Sequence, residues 1–398
     1  MISYQEALTR VLEAASPLPP EYLSLEQSLH YALLETVTAP EDLPPFDRSA
    51  MDGYAIAEAT NTHYYSVVGE IHAGDPVHRA LVAGECVRIA TGGHVPEGAN
   101  RVIPKELAQE AKNGKRVQFS KGPNTSFIRS KGEDCKKGAV LLEEGQLLMP
   151  TDLALLASIG HTLFPVIERP KIAHLTTGDE VVPPSEAPQA GQIRNSNGIL
   201  VQSFLQSHHF DLVQQAHLGD DEAQIAEWIS TWQSQAHVLL ISGGASVGPK
   251  DFAPDLLKTS GYRGAFSRVA IRPGKPVFFG YQEDHYAFVL PGNPGSHLAI
   301  LRLLVLPLLQ KLAGRAPSDT LVKAQLSETG TYRPDSRETF LPGHLISTGN
   351  DSRVSIPQWQ SSGDVVSFAQ ANVLVRIPEE QEVPPAGTFV ECLPLYPA

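Results

Sequence analysis

The sequence is poor in cysteine, in basic charge and in long apolar runs, and each shortage excludes a class of protein. Its three cysteines, Cys86, Cys135 and Cys392, lie far apart and form no C-x-x-C pair. This spacing argues against a zinc-ribbon or disulfide framework and predicts a protein of a reducing compartment, the cytoplasm. The formal net charge of −13 argues against a general nucleic-acid binder, because phosphate contacts need a basic face.

The apolar runs are too short to predict a membrane-spanning helix. A membrane span needs ~20 apolar residues, and the nearest candidate, 298–312, is interrupted by an arginine and a proline. We therefore predict a buried helix there. The first 15 residues lack the apolar core of a signal peptide. They predict instead a helix that is N-capped by Ser3, with Glu6 completing a capping box.

Four segments of the chain differ in pattern, as expected for a length that predicts several domains. Residues up to about Ala39 predict amphipathic helices, and Pro44-Pro45-Phe46 ends that periodicity. Short alternating runs then predict a small β domain, and 151–160 predicts a helix with Thr151 as its N-cap. The β-domain strands are expected at 64–71, 85–89, 116–120 and 139–142.

Strands alternate with helices between Lys171 and Gly314, which predicts a mostly parallel sheet covered on both faces. After Gly314 the chain becomes strand-rich again and predicts a separate C-terminal β domain. The α/β strands are expected at 172–175, 212–218, 238–241, 277–280 and 287–290, and the helices at 196–208, 221–234, 251–259 and 296–312.

Three of these strands end in small, polar, glycine-rich loops, at 176–180, 242–248 and 291–296. Ligands of open parallel sheets bind beyond the carboxyl ends of the strands, so we expect the three loops to meet at one pocket. Glycines let the backbone approach a ligand, and helix N-termini favour anions. The pattern predicts a phosphorylated ligand.

Two common phosphate motifs are absent, and one hydrolase motif is present. The second loop has Walker-like spacing, but Pro249 precedes Lys250, and Asp251 replaces the serine or threonine that would bind magnesium. No G-x-G-x-x-G follows a strand. The stretch 244–248 matches the G-x-S-x-G nucleophile elbow, so a serine hydrolase using Ser246 is an alternative. Pro249 argues against it, because a helix should begin directly after the elbow.

Carboxylates in loops beside small residues form a second candidate constellation. Magnesium takes one or two protein oxygens and completes its shell with water and substrate phosphates. Taken singly, a carboxylate in a loop is more often a turn residue or an N-cap. Asp220 is predicted to cap the helix that follows it. The candidates are Asp52, Asp134, Glu180, Asp220, Asp221 and Asp251.

A series of motifs runs along nearly the whole chain. They are Phe46-Asp47-Arg48-Ser49-Ala50-Met51-Asp52-Gly53-Tyr54-Ala55, Arg88-Ile89-Ala90-Thr91-Gly92, Arg129-Ser130-Lys131-Gly132-Glu133-Asp134, Thr177-Gly178-Asp179-Glu180, Gly191-Gln192-Ile193-Arg194-Asn195-Ser196-Asn197, the loop from Ser242 to Asp251, Arg272-Pro273-Gly274-Lys275-Pro276 and Leu290-Pro291-Gly292-Asn293-Pro294. In these motifs and in their order the chain resembles the molybdopterin molybdenumtransferases, a family that includes the E domain of gephyrin.

The resemblance implies a multidomain α/β plus β fold and an elongated homodimer. Its parts would be a linker and N-terminal helical region (1–45 and 143–170), an inserted β domain (46–142), a three-layer α/β molybdopterin-binding domain (171–316) and a C-terminal β barrel (317–398). The active cleft would lie between the α/β domain of one subunit and the β domain of the other. Adenylyl-molybdopterin and molybdate would give molybdenum-molybdopterin and AMP, assisted by Mg²⁺ or Zn²⁺. The adenylyltransferase of the same pathway is a further implied partner.

The resemblance also implies roles for individual residues. Asp52, Thr91, Asp134, Glu180, Asp220 and Asp251 match catalytic positions, and Glu180, Asp221 and Asp251 match the acidic positions of the metal side. The positions that hold pterin, phosphate and molybdate are matched by Ser242, Gly243, Gly244, Ser246, Gly248, Arg272, Pro273, Lys275, Pro291, Gly292, Asn293, Pro294 and Ser296.

The chain departs from the family pattern at Asn195, where aspartate is frequent, and at Gly93-His94 and Pro342. These changes keep a second hypothesis open, in which a catalytically weak paralogue binds molybdopterin or acts as a scaffold.

Overall fold

The computed structural model describes residues 1–60, 62–76, 79–120, 125–244, 252–316, 321–328, 335–348 and 351–397. The chain forms two compact units. Unit 1 contains Met1–Leu34, Gly145–Pro150 and Leu163–Ala398, and unit 2 contains Glu35–Glu144 and Thr151–Thr162.

The N-terminal segment of unit 1 begins with helix α1 (Tyr4–Glu13). The Ser3 hydroxyl accepts the Glu6 N–H at 3.1 Å, as predicted, but the Glu6 carboxylate pairs with Arg10 at 2.6 Å instead of closing the capping box. The prediction of further helix up to about residue 39 is wrong. Strand β1 (Pro20–Ser24) pairs antiparallel with residues 163–167, and only a 3₁₀ turn follows it. A distant partner therefore overrides the local helical spacing.

Unit 2 is built on a six-stranded sheet with the order β7-β4-β6-β5-β9-β8. Its helix α2 (Pro150–Ser158) begins one residue before Thr151, so Thr151 lies inside the helix and is not its N-cap. The strands are β2 (Val37–Thr38), β3 (Arg48–Ser49), β4 (Gly53–Ile56), β5 (Tyr65–Ile71), β6 (Glu85–Ile89), β7 (Arg101–Pro104), β8 (Ala108–Glu110), β9 (Arg116–Phe119), β10 (Ile128–Arg129) and β11 (Val140–Leu142).

The α/β part of unit 1 has a six-stranded sheet with the order β16-β13-β17-β21-β20-β18. The first four strands are parallel, as predicted, whereas β20 and β18 are antiparallel. Strand β18 was not predicted, because its sequence RGAFSR buries one residue well and is charged at both ends. The strands are β12 (Leu163–Ile167), β13 (Ile172–Thr177), β14 (Val181–Val182), β15 (Ile193–Arg194), β16 (Leu212–Leu218), β17 (Val238–Ser242), β18 (Arg263–Arg268), β19 (Ile271–Arg272), β20 (Pro276–Gln282) and β21 (His285–Leu290).

Helices cover both faces of this sheet and give it three layers. Along β17, Val238 and Leu240 pack in one apolar core and Leu239 and Ile241 in another, as alternating side chains of a buried strand should. The first core contains α1, α3, α6 and α7, and the second contains α4 and α5. The helices are α3 (Ser196–Ser207), α4 (Glu222–Trp232), α5 (Ala253–Thr259), α6 (Pro294–Ile300) and α7 (Leu306–Leu312), the last two joined by a π-helical segment at Leu301–Val305.

The continuous helix Pro294–Leu312 is long and apolar enough to cross a membrane by length and composition alone. In the structure, 89% of its most apolar 18-residue window is buried inside the protein. The predicted buried helix is confirmed.

The C-terminal part of unit 1 is a closed barrel of five strands. The ring runs β23-β24-β22-β26-β25 and closes by pairing of β25 with β23, while β19 adds to β23 in parallel. The elements are β22 (Val322–Leu326), β23 (Glu338–Thr348), β24 (Asp351–Ser355), α8 (Val365–Ala369), β25 (Val373–Ile377) and β26 (Phe389–Pro394). The predicted barrel and the predicted three-layer domain are both confirmed.

Candidate active site

A cleft of about 740 Å³ lies at the carboxyl ends of β13, β17 and β21. The register aligns Thr176 with Ser242 and Ser242 with Leu290, so the three strands end at the same level. The described parts of the three loops meet at the cleft, as the sequence predicts. The loop residues that line it are Thr177, Gly178, Glu180, Gly243, Gly244, Pro291, Gly292, Asn293 and Ser296.

The other residues of the cleft come from the segment around β19 and from the barrel. The segment contributes Arg272, Pro273, Gly274, Lys275 and Pro276, and the barrel contributes Arg337, Trp359, Gln360, Ser361 and Ser362. Sequence reasoning identified the first group and missed the second. A lone tryptophan in the polar stretch Trp359-Gln360-Ser361-Ser362 was the available signal.

Two guanidinium groups that line the cleft, those of Arg272 and Arg337, share the carboxylate of Asp335. Arg337 donates two hydrogen bonds to Asp335, each of 2.7 Å, and Arg272 Nη1 lies 3.3 Å from Asp335 Oδ2. The Arg337 hydrogen bond is the main cause that lowers the pKa of Asp335. The Arg272 guanidinium also lies 5.2 Å from the centre of the Trp359 ring, a cation–π distance. With Lys275 nearby, this wall can neutralise an oxyanion.

Acidic groups line the same cleft. Glu180 is exposed, and its carboxylate lies over Gly178, where a Cβ would be only 2.8 Å from Glu180 Oε2. Within the described ranges, no hydrogen bond or ion pair of the Glu180 carboxylate is found. Asp220 also lines the cleft, and its backbone N–H donates to Asp179 Oδ1 at 2.9 Å. This side offers oxygen atoms only.

Asp221, and not Asp220, caps helix α4, which corrects the sequence prediction. Asp221 Oδ1 accepts the Gln224 N–H at 3.0 Å, and Oδ2 accepts the Gln224 side chain at 3.1 Å. The Gln224 N–H is the main cause that lowers the pKa of Asp221. Among the described lining residues the cleft includes Asp220 and lacks Asp221. The candidates Ser246, Gly248 and Asp251 lie outside the described residues.

A second hollow of about 320 Å³ shares five lining residues with the cleft and extends it towards α3. Pro294 and Asn195 line it. Asn195 caps α3, since its Oδ1 accepts the Gly198 N–H at 2.9 Å, while its Nδ2 donates to Thr176 Oγ1 at 2.8 Å. Both polar atoms of the Asn195 amide therefore have hydrogen-bond partners. Ser242 also contacts this hollow, but its hydroxyl is engaged in the interior by His174 and His297.

Unit 2 brings three of the sequence motifs together. The signature segment at 46–55 is hydrogen-bonded to the loop after β6, with Val95 N donating to Asp47 O at 2.8 Å and Gly92 N to Ser49 O at 2.8 Å. It also contacts the third motif, since Lys131 N donates to Asp47 Oδ1 at 2.6 Å.

The predicted catalytic residues of unit 2 are exposed. Asp52 accepts two hydrogen bonds from Thr91 and lies 3.5 Å from Lys105 Nζ. The Thr91 N–H and then its hydroxyl lower the pKa of Asp52. Asp134 pairs with Arg129. His94, one of the departures, stacks on Phe46 with ring centres 4.5 Å apart.

Three family models match the chain in order. They are the MoeA N-terminal region (domain I and II) at residues 2–160, the probable molybdopterin binding domain at 173–311 and the MoeA C-terminal region (domain IV) at 326–395.

Relatives match over nearly the full length. The molybdopterin molybdenumtransferase of Haemophilus influenzae is 33% identical, over 99% of this chain and 98% of the relative. That of Staphylococcus aureus strain Mu50 is 30% identical, over 98% and 95%. A solved molybdopterin biosynthesis MoeA protein from Pyrococcus horikoshii is 28% identical and superposes with a TM-score of 0.82 over 100% of both chains. Because family models and full-length relatives agree along the whole chain, this protein belongs to the MoeA family.

Proposed function

We propose that this protein is a molybdopterin molybdenumtransferase, which inserts molybdenum from molybdate into adenylyl-molybdopterin and releases AMP. The observation that carries the proposal is the cleft itself, where strand-tip glycines, a guanidinium wall and the acidic residues Glu180 and Asp220 line one cavity. Full-length relatives that carry this name support it.

The residues of the chain divide the work within the cleft. Arg272, Arg337 and Lys275 attract the anionic phosphates and molybdate and neutralise charge that develops on an oxyanion. Gly243 and Gly292 bring the backbone close to the ligand, and the helix that begins at Pro294 directs its N-terminus to the same place.

Glu180 and Asp220 would hold a divalent cation. Magnesium needs one or two protein oxygens, and these two carboxylates at one cavity fit that demand. Zinc sites are usually built from histidine nitrogen and cysteine sulfur together with carboxylate oxygen. The carboxylate oxygens of Glu180 and Asp220 thus favour Mg²⁺ over Zn²⁺. When bound, the cation polarises the phosphoryl oxygens of the scissile linkage.

AMP release tests the proposal directly. Purified protein given adenylyl-molybdopterin, Mg²⁺ and molybdate should release AMP, and Glu180→Gln should lower that rate about a hundredfold. Glu222→Gln, an exposed acid in the first turn of α4, serves as the matched control and should keep the full rate. Asp251→Ala should also lose activity. Folded protein without AMP release would favour the scaffold hypothesis, and a fully active Glu180→Gln would refute the metal site.

We further propose a homodimer whose active sites combine unit 1 of one subunit with Asp52, Thr91 and Asp134 of the other. Mixing Asp52→Asn with Glu180→Gln protein tests this arrangement. A mixed dimer would have one intact site, so random exchange should restore about a quarter of the wild-type rate. Each variant alone should remain inactive. A mixture without recovered activity would contradict sharing between subunits.

The proposed setting is the cytoplasm, with the adenylyltransferase of the same pathway as a partner. The three cysteines are free thiols, and burial raises the pKa of Cys86 and of Cys392 to about 12, so neither is a reactive thiolate at neutral pH. The partner is tested by transfer of adenylyl-molybdopterin between the two purified enzymes. Transfer that persists when a third protein is present to capture free adenylyl-molybdopterin would support direct contact.

A further inference from the structure

A chain of hydrogen bonds runs beneath the cleft and through the interior of the α/β domain. Gln215 Nε2 contacts His174 Nδ1 at 3.0 Å, and His174 Nε2 contacts Ser242 Oγ at 2.6 Å. Ser242 Oγ lies 3.3 Å from His297 Nε2, and His297 Nδ1 lies 3.1 Å from the Pro291 carbonyl. This series of hydrogen bonds therefore links four neighbouring strands of the sheet: β16, β13, β17 and the end of β21.

The partners fix the direction of every hydrogen bond. The Gly198 carbonyl can only accept, so Gln215 presents its NH₂ group there, at 2.8 Å, and donates its other hydrogen to His174. His174 is then protonated on Nε2 and donates to Ser242. From the other end, the Pro291 carbonyl can only accept, so His297 is protonated on Nδ1. Ser242 therefore accepts from His174 and donates to His297.

The inner members of the chain are almost inaccessible. His174 and His297 are 0% exposed and Ser242 is 3% exposed. Burial lowers the pKa of His174 to about 3 and that of His297 to about 4, so both rings stay neutral at physiological pH. A buried polar group is costly unless it is paired, and here each ring nitrogen has a partner. The network is therefore rigid and directional.

Two members of this hydrogen-bond series, Ser242 and Pro291, lie next to two loops of the cleft. Ser242 immediately precedes Gly243 and Gly244, and Pro291 immediately precedes Gly292 and Asn293. One direct link also joins these loops, because Gly243 N donates to Leu290 O at 3.1 Å. The path through Ser242 and His297 is a second link, and it fixes the Pro291 carbonyl.

We propose that His297 and His174 are positioning residues, which act through the Ser242 hydroxyl and the Pro291 carbonyl to fix the 243–244 and 292–293 edges of the cleft. Neither imidazole touches substrate. The proposal rests on the proposed function only in the measurement of KM. Hydrogen exchange and NMR report on the loops and the rings without any turnover.

Two substitutions of His297 separate the hydrogen bond from the bulk of the ring. His297→Asn places an amide near the Nδ1 position and can still donate to the Pro291 carbonyl. His297→Gln places its amide near the Nε2 position and leaves that carbonyl without its donor. His208→Asn is the matched control, since His208 is also buried but bonds the Phe204 carbonyl of its own helix at 2.9 Å.

We expect His297→Gln to raise KM for adenylyl-molybdopterin about tenfold with a smaller change in kcat. His297→Asn keeps the bond to Pro291 but loses the acceptor of Ser242, so KM should rise less, by about threefold. Hydrogen exchange of the Gly243 and Gly295 amides, which donate to the Leu290 and Ser362 carbonyls, should be about tenfold faster in His297→Gln and unchanged in His208→Asn. Nitrogen-15 NMR of the wild-type protein should show His174 protonated on Nε2 and His297 on Nδ1.

A wild-type KM together with unchanged exchange in His297→Gln would overturn the proposal, as would the opposite tautomer of either ring. If His297→Gln does not fold, Gln215→Leu tests the same chain from its exposed end. It frees His174 Nδ1 and should accelerate exchange of the same two amides about threefold, whereas unchanged exchange would refute the linkage. A wild-type protein that releases no AMP would refute the proposed function alone, since exchange and tautomers need no turnover.

Discussion

One oxygen of the Asp52 carboxylate, Oδ1, accepts both the backbone N–H and the hydroxyl of Thr91, each at 2.8 Å. Lys105 Nζ lies 3.5 Å from the other oxygen. The two Thr91 donors and the lysine charge all lower the pKa of Asp52. The pair thus holds an exposed carboxylate in its charged form and in one orientation.

Thr91→Val should raise the pKa of Asp52, because it removes the hydroxyl donor and keeps the N–H donor. Asp52 is charged above its pKa, so the acid limb of the pH profile of kcat/KM should move to higher pH in this variant. Carbon-13 NMR titration of Asp52 measures the shift. Thr91→Ser keeps the hydroxyl and should titrate as the wild type. Equal titration in Thr91→Val and the wild type would show that the hydroxyl bond is unimportant.

Gly243→Ala should destabilise the fold by about 1–3 kcal/mol and reduce activity. Gly243 has φ +105°, and a Cβ there would lie 2.5 Å from Thr177 Oγ1 and 3.0 Å from the Thr177 carbonyl. Gly292→Ala is the control for folding, since a Cβ at Gly292 meets no atom within 4 Å. Urea denaturation of both variants compares them. Similar midpoints would mean that the second loop relaxes around the added methyl group.

Trp359→Leu should weaken the hold on Arg272 and raise KM for molybdate about threefold. The indole ring lies 5.2 Å from the Arg272 guanidinium, and cation–π pairs of this kind contribute about 0.5–1 kcal/mol at partly exposed sites. Trp359→Phe retains an aromatic face and should show a smaller effect. Steady-state AMP release at varied molybdate measures both. If the leucine variant matches the wild type, the Trp359 ring does not orient Arg272.

The free energy of unfolding should fall as the pH drops from 6.5 towards 5. Burial lowers the pKa of His174 to about 3 and those of His208 and His297 to about 4, whereas all three bind protons near pH 6.5 in the unfolded chain. The unfolded state therefore takes up more protons, and each histidine should remove about 1.4 kcal/mol per pH unit in this window.

Urea denaturation at pH 7, 6 and 5 measures that slope. His208→Asn should reduce it by one histidine's share, and carboxylates contribute little above pH 5. A stability that stays constant between pH 6.5 and 5 would contradict the neutral buried state of these rings.

The sequence predicts those elements best whose signals are local. Strand β16 was predicted with its observed bounds, and α3 differs by one residue, because alternating or helical spacing is complete within each. The sequence pattern predicts helix where strand β1 lies, since the partner strand Leu163–Ile167 is about 140 residues away in the chain and local spacing carries no sign of it.

The candidate site shows the same division. The strand-tip loops could be placed together from topology, because parallel strands end at one edge. Trp359 and Arg337 could not, since only the closure of a distant barrel brings them to the cleft. The N-cap of α4 was misplaced by one residue because Asp220 and Asp221 are equivalent in sequence, and backbone geometry alone selects Asp221.

Strand β19 belongs to the α/β segment by sequence and to the barrel by its main-chain pairing. Ile271 aligns with Glu338 and Arg272 with Thr339. A hinge motion between sheet and barrel would have to break this pairing or carry the arginine with it. The distance between Arg272 and the barrel is therefore set by the backbone, and any widening of the cavity for a bulky nucleotide is left to the glycine loops.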